Sequence, residues 1–538
     1  MSYTDVTVAK INELADGEMR QVSAAGKEIL LARVSGNFYA VGAHCTHYGA
    51  PLAEGVLSGD RLVCPWHHAC FNARTGDLQE PPALDALPHY DVRIENDQVI
   101  VRVPDNTHRR TPRMTKRDKK DEKLFVIVGG GAAGYAAAQT LREDGFTGRL
   151  VLITREAHLP YDRPNLSKEY LQGKAKPEWL PLRPDDFFTA HDIEVLSGKE
   201  IERIDAAKRA INFADGESLF CDALLVATGG EPRKLPFQSE GYENVFLLRS
   251  YTDAAALVAA AEKGKHAVVI GASFIGMEAA SSLTARGCEV TVVAPDDVPF
   301  QKTLGAKIGK LFQDVHEEHG VKFKLGASVA GFTGARKLTA VVLGNGERLD
   351  ADLVVVGVGV RPATDFLKGV TLHRDGGVIV DGHMRAADGV YAAGDIAYFP
   401  SSLTRERQRI EHWRTAMQQG RIAAHNMAAK DVSYDGVPFF WTRQFDVGLL
   451  YVGHAKQWDE IIYQSDVSAR DFLAFYVKEN RVLAVAGMNR DREMAAIEEL
   501  MREDRMPTPS EIRKGQIDIL KLLRHSPASE FQVAGQAS

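Results

Sequence analysis

The chain has 538 residues, a formal net charge of −7, 45% hydrophobic and 25% charged residues. This is the balance of a globular chain with length for roughly three or four domains, and its acidity excludes nucleic acid as a general partner. No apolar run reaches the about eighteen residues of a membrane span, and the opening MSYTDVTVAKINELADGEMR lacks the basic and apolar regions of a secretory signal. Five cysteines in so long a chain point to a reducing, cytoplasmic setting.

Residues 1–104 read as an all-β module, with alternating stretches such as EILLARVSGNFYAVGA and HYDVRIENDQVIVRV set around Ser-Gly and Glu-Asn-Asp turns. Inside it stand Cys45-Thr46-His47 and Cys64-Pro65-Trp66-His67, sixteen residues apart. Two thiolates and two imidazoles suit a Rieske [2Fe–2S] centre, in which Cys45 and Cys64 hold one iron and His47 and His67 the other. A structural zinc is the alternative for such a set, and a C-x-H opening is unusual for it. The surrounding HCTHYGAPL and CPWHHACFNARTGD resemble the two cluster loops of ferredoxin-type Rieske domains. Respiratory Rieske proteins carry one further Cys in each loop, where this chain has Ala50 and Trp66. The resemblance therefore implies the disulfide-free, low-potential branch, with His47 and His67 near the surface as the face through which electrons leave. Cys70 falls outside the ligand spacing and reads as a small buried residue.

Residues 105–122, DNTHRRTPRMTKRDKKDE, are polar, Pro-bearing and basic. They read as a solvated linker with a reach of about 20–25 Å if flexible; a basic strip docking an acidic partner or the chain's own next domain is the sharper reading. From Lys123 the pattern becomes βαβ. KLFVIVGGGAAGYAAAQTLREDG is a buried strand, a glycine-rich turn and a helix. Gly129, Gly131 and Gly134 form the G-x-G-x-x-G that lets a backbone approach a pyrophosphate at a helix N-terminus. Glu156, ending the next strand, is placed to accept ribose hydroxyls. A second unit, HAVVIGASFIGMEAASSLTARGCEVTVVAPDD, carries Gly271, Ser273, Phe274, Ile275 and Gly276, with Ser273 in place of the middle glycine. The position expected to hold its acidic ribose ligand is Ala294, leaving Asp296 or Asp297 to substitute, and no Arg follows to hold a 2′-phosphate. NADH is therefore favoured over NADPH.

PYDRPNLSKEYL, LLVATGGEPRKL, VYAAGDIA and IEHWRTAMQQGRIAA resemble the pyridine-nucleotide-dependent flavoprotein reductases. The nearest groups are the ferredoxin reductases of oxygenase systems and the apoptosis-inducing-factor-like proteins, including a branch with a Rieske domain in front. The resemblance implies FAD contacts at Arg163, Thr228, Gly229, Arg233, Gly394, Asp395, His412 and Trp413. It implies catalytic roles for Lys168, beside the flavin ring, and its partner Glu278, and puts Gly359, Glu411 and Trp441 on the NAD side. No C-x-x-C or C-x₄-C follows Lys123, so electrons are expected to leave the flavin directly and not through a dithiol.

The expected architecture is multidomain: an all-β Rieske domain at 1–104, the linker, a discontinuous α/β FAD-binding domain at 123–245 and 365–432, an α/β NAD(P)H-binding domain at 246–364, and an α+β C-terminal domain at 433–538. The expected activity passes electrons from NADH through FAD to the chain's own cluster and on to an external acceptor such as an oxygenase, a P450 or a ferredoxin, in a monomer or homodimer. An NADH oxidase and a redox-sensing protein are the alternatives.

Overall fold

The computed structural model describes residues 2–106, 110–237, 241–515 and 517–524. The N-terminal module is all β. Strands Tyr3–Lys10, Gln98–Pro104, His89–Glu95, Asn37–Gly42, Lys27–Val34 and Met19–Ala24 lie side by side in that order. A smaller antiparallel sheet, Val56–Ser58, Arg61–Val63, Cys70–Asn72 and Leu78–Glu80, carries the second cysteine loop between its second and third strands. Alternation along Lys27–Val34 divides its side chains between two cores: Leu30 and Ala32 pack with the loop residues Cys45, Cys64 and Phe71, while Ile29 and Leu31 pack with Val99 and Val101.

Two dinucleotide-binding sheets follow. Leu124–Val128 is an unbroken apolar run because it is buried on both faces. It lies between Arg149–Thr154 and Ala223–Val226, all parallel, and Val390–Ala392 adds to the same sheet beyond Ala223–Val226. Residues beyond 365 thus return to the first sheet. The second sheet orders Val245–Phe246, Leu353–Val356, His266–Ile270, Glu289–Val293 and Lys322–Lys324, again parallel. The last unit is a five-stranded antiparallel sheet, Phe439–Gln444 to Glu460–Asp466, covered by helix Asp491–Arg502.

The linker departs from the solvated reading. The Thr115 amide donates to the Arg142 carbonyl at 2.8 Å and that of Asp118 to Thr147 at 2.9 Å. The Arg117 amide donates to the Asp192 carboxylate at 3.2 Å, and the Arg110 side chain pairs with Asp77 at 2.7 Å. A count of charges misses this because the segment is anchored by backbone amides together with the Arg110 and Lys116 side chains, the latter donating to the Ala190 carbonyl; residues 107–109 lie outside the described set.

The Rieske module is clamped by buried charge. Arg414, from helix Trp413–Met427, is 1% exposed. It bonds Glu80 of the small sheet at 2.7 Å and Glu498 of helix Asp491–Arg502 at 2.6 Å, and donates to the Pro81 carbonyl at 3.0 Å. Arg61 joins Glu80 at 2.5 Å and Glu499 at 2.9 Å. His68, fully buried, meets Glu498 and stacks on Phe439 at 4.0 Å. Arg183 pairs with Asp85 at 2.7 Å and donates to the Tyr135 hydroxyl of helix Ala132–Glu143 at 2.8 Å. Val56, Val63 and Cys70 complete the seam by entering the apolar core of the C-terminal unit.

Burial opposes ionisation of Glu80, but Arg414 and Arg61 outweigh it and hold the carboxyl at about 2, below its ordinary 4.5. Because the folded value is the lower one, this contribution is complete above about pH 4.5 and drains away as pH falls toward 2. Acid titration of the intact protein should loosen the Rieske interface across that window, read as cleavage of the linker by an acid-active protease. Arg414→Met removes one cation from both Glu80 and Glu498, leaving them Arg61 and His68, and should cost about 3 kcal/mol, measured by chemical denaturation; a cost under about 1 kcal/mol would show that the network contributes little.

Candidate functional site

The two dinucleotide units and the C-terminal sheet enclose a cavity of about 540 Å³. Its floor is the first glycine turn. A Cβ on Gly129 would stand 2.1 Å from the Ala227 carbonyl oxygen, and one on Gly134 would stand 1.8 Å from that of Gly129. Gly134 therefore allows the helix to pack on the strand, whereas a Cβ on Gly131 would meet no protein atom and would project into the cavity. Gly129, Gly131, Glu156, Arg163, Thr228, Gly229, Gly394, Asp395, His412 and Trp413 all line this space. Arg233 does not; it donates to the Val360 carbonyl at 3.0 Å beside Gly359.

Glu156 holds Arg163 at 2.6 Å and accepts from the Tyr161 hydroxyl at 2.6 Å. Burial raises the Glu156 carboxyl, and Arg163 and the tyrosine bond more than offset it, so the group sits below its usual range. Asp395 meets Arg249 at 3.1 Å, a cation that no motif had singled out. Burial and then the Asp395 charge lift the Glu411 carboxyl, although Arg409 pairs with it at 2.5 Å. Burial pushes the His412 imidazole down to about 3, so the ring is neutral near pH 7.

Lys168, 8% exposed, reaches Glu278 at 2.9 Å. Glu278 is further held by Ser167 at 2.5 Å and by Thr442 of the C-terminal sheet at 2.7 Å. Gln444 donates to Thr442 at 3.1 Å and is itself bonded to His316 at 2.8 Å. Thr442 and Gln444 carry no motif of their own, and only the fold brings them to Ser167 and Glu278. Phe274, Ile275, Glu278, Glu411 and Trp441 line the cavity; Gly271, Ser273, Gly276, Asp296 and Gly359 lie away from it. A Cβ on Gly276 would stand 2.1 Å from the Gly271 oxygen, which repeats the packing of the first turn. The Ser273 hydroxyl turns back to the Gly357 carbonyl at 3.4 Å, and Asp296 pairs with Lys302 at 2.8 Å.

On the N-terminal module, the Cys45 and Cys64 thiols face each other. The backbone amides of His47 and Tyr48 point at one sulfur, those of Trp66 and His67 at the other. The Nδ1 atoms of His47 and His67 stand 3.2 Å apart. Among the described residues no three of these side-chain types meet around one point. Two pairs, with amides aimed at sulfur, fit a two-iron cluster and not a single zinc. Cys70 is buried and outside this set, as expected.

His47 and His67 are partly exposed, near the surface as the sequence reading expected, and the histidine end also packs on the reductase part of the chain. The His67 ring lies 4.5 Å from that of Trp441, which also lines the cavity. Burial, then His47, His68 and Lys168, depress the His67 imidazole, so the Lys168 charge is felt there. The Tyr48 hydroxyl meets Asp162 and Asn165, in the loop that carries Arg163 and Lys168. The sequence does not reveal this contact because it joins residues far apart in the chain.

Residues 123–420 match the pyridine nucleotide-disulphide oxidoreductase family, residues 4–91 the Rieske [2Fe-2S] domain, and residues 439–523 the reductase C-terminal family. The chain is 39% identical to apoptosis-inducing factor 3 of Homo sapiens, over 98% of this chain and 87% of that one. It is 32% identical to rhodocoxin reductase of Rhodococcus erythropolis, over 76% and 97%. Among solved structures it is similar to the covalent putidaredoxin reductase–putidaredoxin complex, with a TM-score of 0.70, 32% identity, and coverage of 78% of this chain and 100% of that one.

Glu278→Ala leaves the Lys168 ammonium buried without its carboxylate and should cost about 3–5 kcal/mol of stability. Adding Lys168→Met removes the stranded charge and should recover part of that loss in a double-mutant cycle; strict additivity of the two changes would show that the pair is not coupled.

Proposed function

We propose that this chain, which belongs to the pyridine nucleotide-disulphide oxidoreductase family and carries a Rieske domain ahead of the reductase, is an NADH-dependent reductase with a built-in electron acceptor. The family uses FAD and NAD(H), and the Rieske domain carries a [2Fe–2S] cluster. Bound FAD supplies the exchange between a hydride and single electrons, and the cluster supplies a one-electron outlet toward an external ferredoxin, P450 or oxygenase.

The chain's own residues divide this work. Gly129 and Gly131 open the helix N-terminus to a pyrophosphate, and Glu156, held by Arg163 and Tyr161, faces a ribose. Lys168, fixed by Glu278, presents a cation at the cavity wall, where it stabilises negative charge on a reduced ring. Phe274, Ile275 and Glu411 form the wall on the side of the second dinucleotide unit, where a nicotinamide would enter. Ala294 and Asp296 at the end of the second unit's strand, with Lys302 tied to Asp296, favour NADH over its 2′-phosphorylated form. Cys45 and Cys64 would hold one iron, His47 and His67 the other. The observation that carries the reading is Trp441: one side chain lines the cavity and lies 4.5 Å from the ring of His67. It stands between the cavity and the histidine end of the N-terminal module.

An anaerobic NADH titration followed by visible absorbance and low-temperature EPR tests this directly. Flavin bleaching should be accompanied by the rhombic signal of a reduced Rieske cluster; bleaching with a silent cluster overturns the reading. In Trp441→Ala the cluster signal should lag flavin bleaching at least about tenfold more than in the parent protein, a factor worth about 1.4 kcal/mol of barrier.

A further inference from the structure

The clamp that fixes the Rieske module also decides where electrons leave it. The histidine end faces Trp441 and the flavin-side loop, and the Cys70 side is buried in the C-terminal core. Release through the Cys70 side would mean breaking the Arg61–Glu80–Arg414–Glu498 network at every turnover, and release through the His67 ring would mean displacing Trp441. The edge of the cluster loops offers another way out. Trp66, between Cys64 and His67, is 38% exposed, with its ring 6.5 Å from that of His67. Tyr48, next to His47, is 50% exposed. Large exposed aromatics of this kind are enriched where partners dock.

The charge around this edge has one dominant sign. Glu54, Glu169 and Asp491 are exposed. Glu54 acts on Asp491, whose carboxyl is raised first by burial, and Glu169 acts on Tyr48. Of the neighbouring cations, Arg490 is committed to Asp471 and Glu493, and Arg492 turns to a cleft lined by Glu13 and Leu523.

We propose that the Trp66–Tyr48 edge, with its acidic border, is the docking surface for the external acceptor, a one-electron carrier protein with a basic face, and that electrons leave across Trp66. This rests on the proposed function in needing a Rieske cluster that is reduced and then reoxidised. Each encounter moves one electron and no proton, forms no bond, and takes a ferric acceptor to ferrous. Charge complementarity would speed the encounter and make it sensitive to salt.

Cytochrome c, a basic haem protein, serves as the probe, with the full-length holoprotein. Binding of oxidised cytochrome c to the oxidised protein is measured by titration calorimetry at low and high salt. Trp66→Ala should weaken it about tenfold, Trp66→Phe should restore most of the loss, and Glu54→Lys with Asp491→Lys should abolish its salt dependence. The protein is then reduced anaerobically with dithionite, freed of excess reductant and mixed with ferric cytochrome c, while the cluster's EPR signal is followed. Reoxidation should slow in the same variants by a similar factor. Unchanged binding and unchanged reoxidation in both Trp66→Ala and the charge variant would overturn the docking surface. Because dithionite replaces NADH here, failure of NADH to reduce the cluster counts against the proposed function alone.

Discussion

Arg414 is the hinge of the structure's logic. A guanidinium with 1% of its surface exposed survives only where carboxylates and carbonyls satisfy it, and its partners come from two different units, Glu80 of the Rieske sheet and Glu498 of the C-terminal helix. Arg61 repeats the arrangement from the opposite side. An apolar seam of the same area would adhere as well but tolerates sliding. Forked ion pairs have a defined geometry, so the network sets the register in which His67 meets Trp441.

That register bears on the chemistry. Electron transfer weakens steeply with separation, so a reductase and a ferredoxin that meet by diffusion must find a narrow set of orientations at each encounter. Covalent linkage with a fixed interface makes the encounter intramolecular and replaces concentration by geometry. The pinned linker belongs to the same design. With Thr115 and Asp118 bonded along the first dinucleotide unit, the segment acts as a strap and not as a tether.

Chemistry confined to short stretches of chain was legible in the sequence. C-x-H and C-x-x-H, the glycine turns and the βαβ periodicity each concern residues within one loop or one unit, where spacing dictates geometry. Arg233 shows the limit: its motif lies beside the cavity, yet the side chain turns to the Val360 carbonyl. Ser167, Thr442 and Gln444 show the converse. Ser167 and Thr442 hold Glu278 from two separate elements, Gln444 backs Thr442 from the same strand, and nothing local in the sequence reveals that they converge. The seam was invisible for the same reason, since Arg61 and Glu499 are separated by most of the chain and each reads alone as a surface charge. The packing of His67 on Trp441 followed from that seam and was invisible with it.

A fixed module must still give up its electrons, and here the buried and exposed aromatics divide the task. Trp441 is held between His67 and the cavity. Trp66 also neighbours His67, exposed and without a polar partner for its ring among the described contacts. A side chain in that position has little to do for the stability of the loop, and its exposure costs solvation without a compensating contact inside the molecule. Such an expense is explained by a partner that covers it. On the proposed reading the same indole type serves two opposite requirements, permanent contact at Trp441 and transient contact at Trp66, and the ion-pair clamp keeps the two distinct.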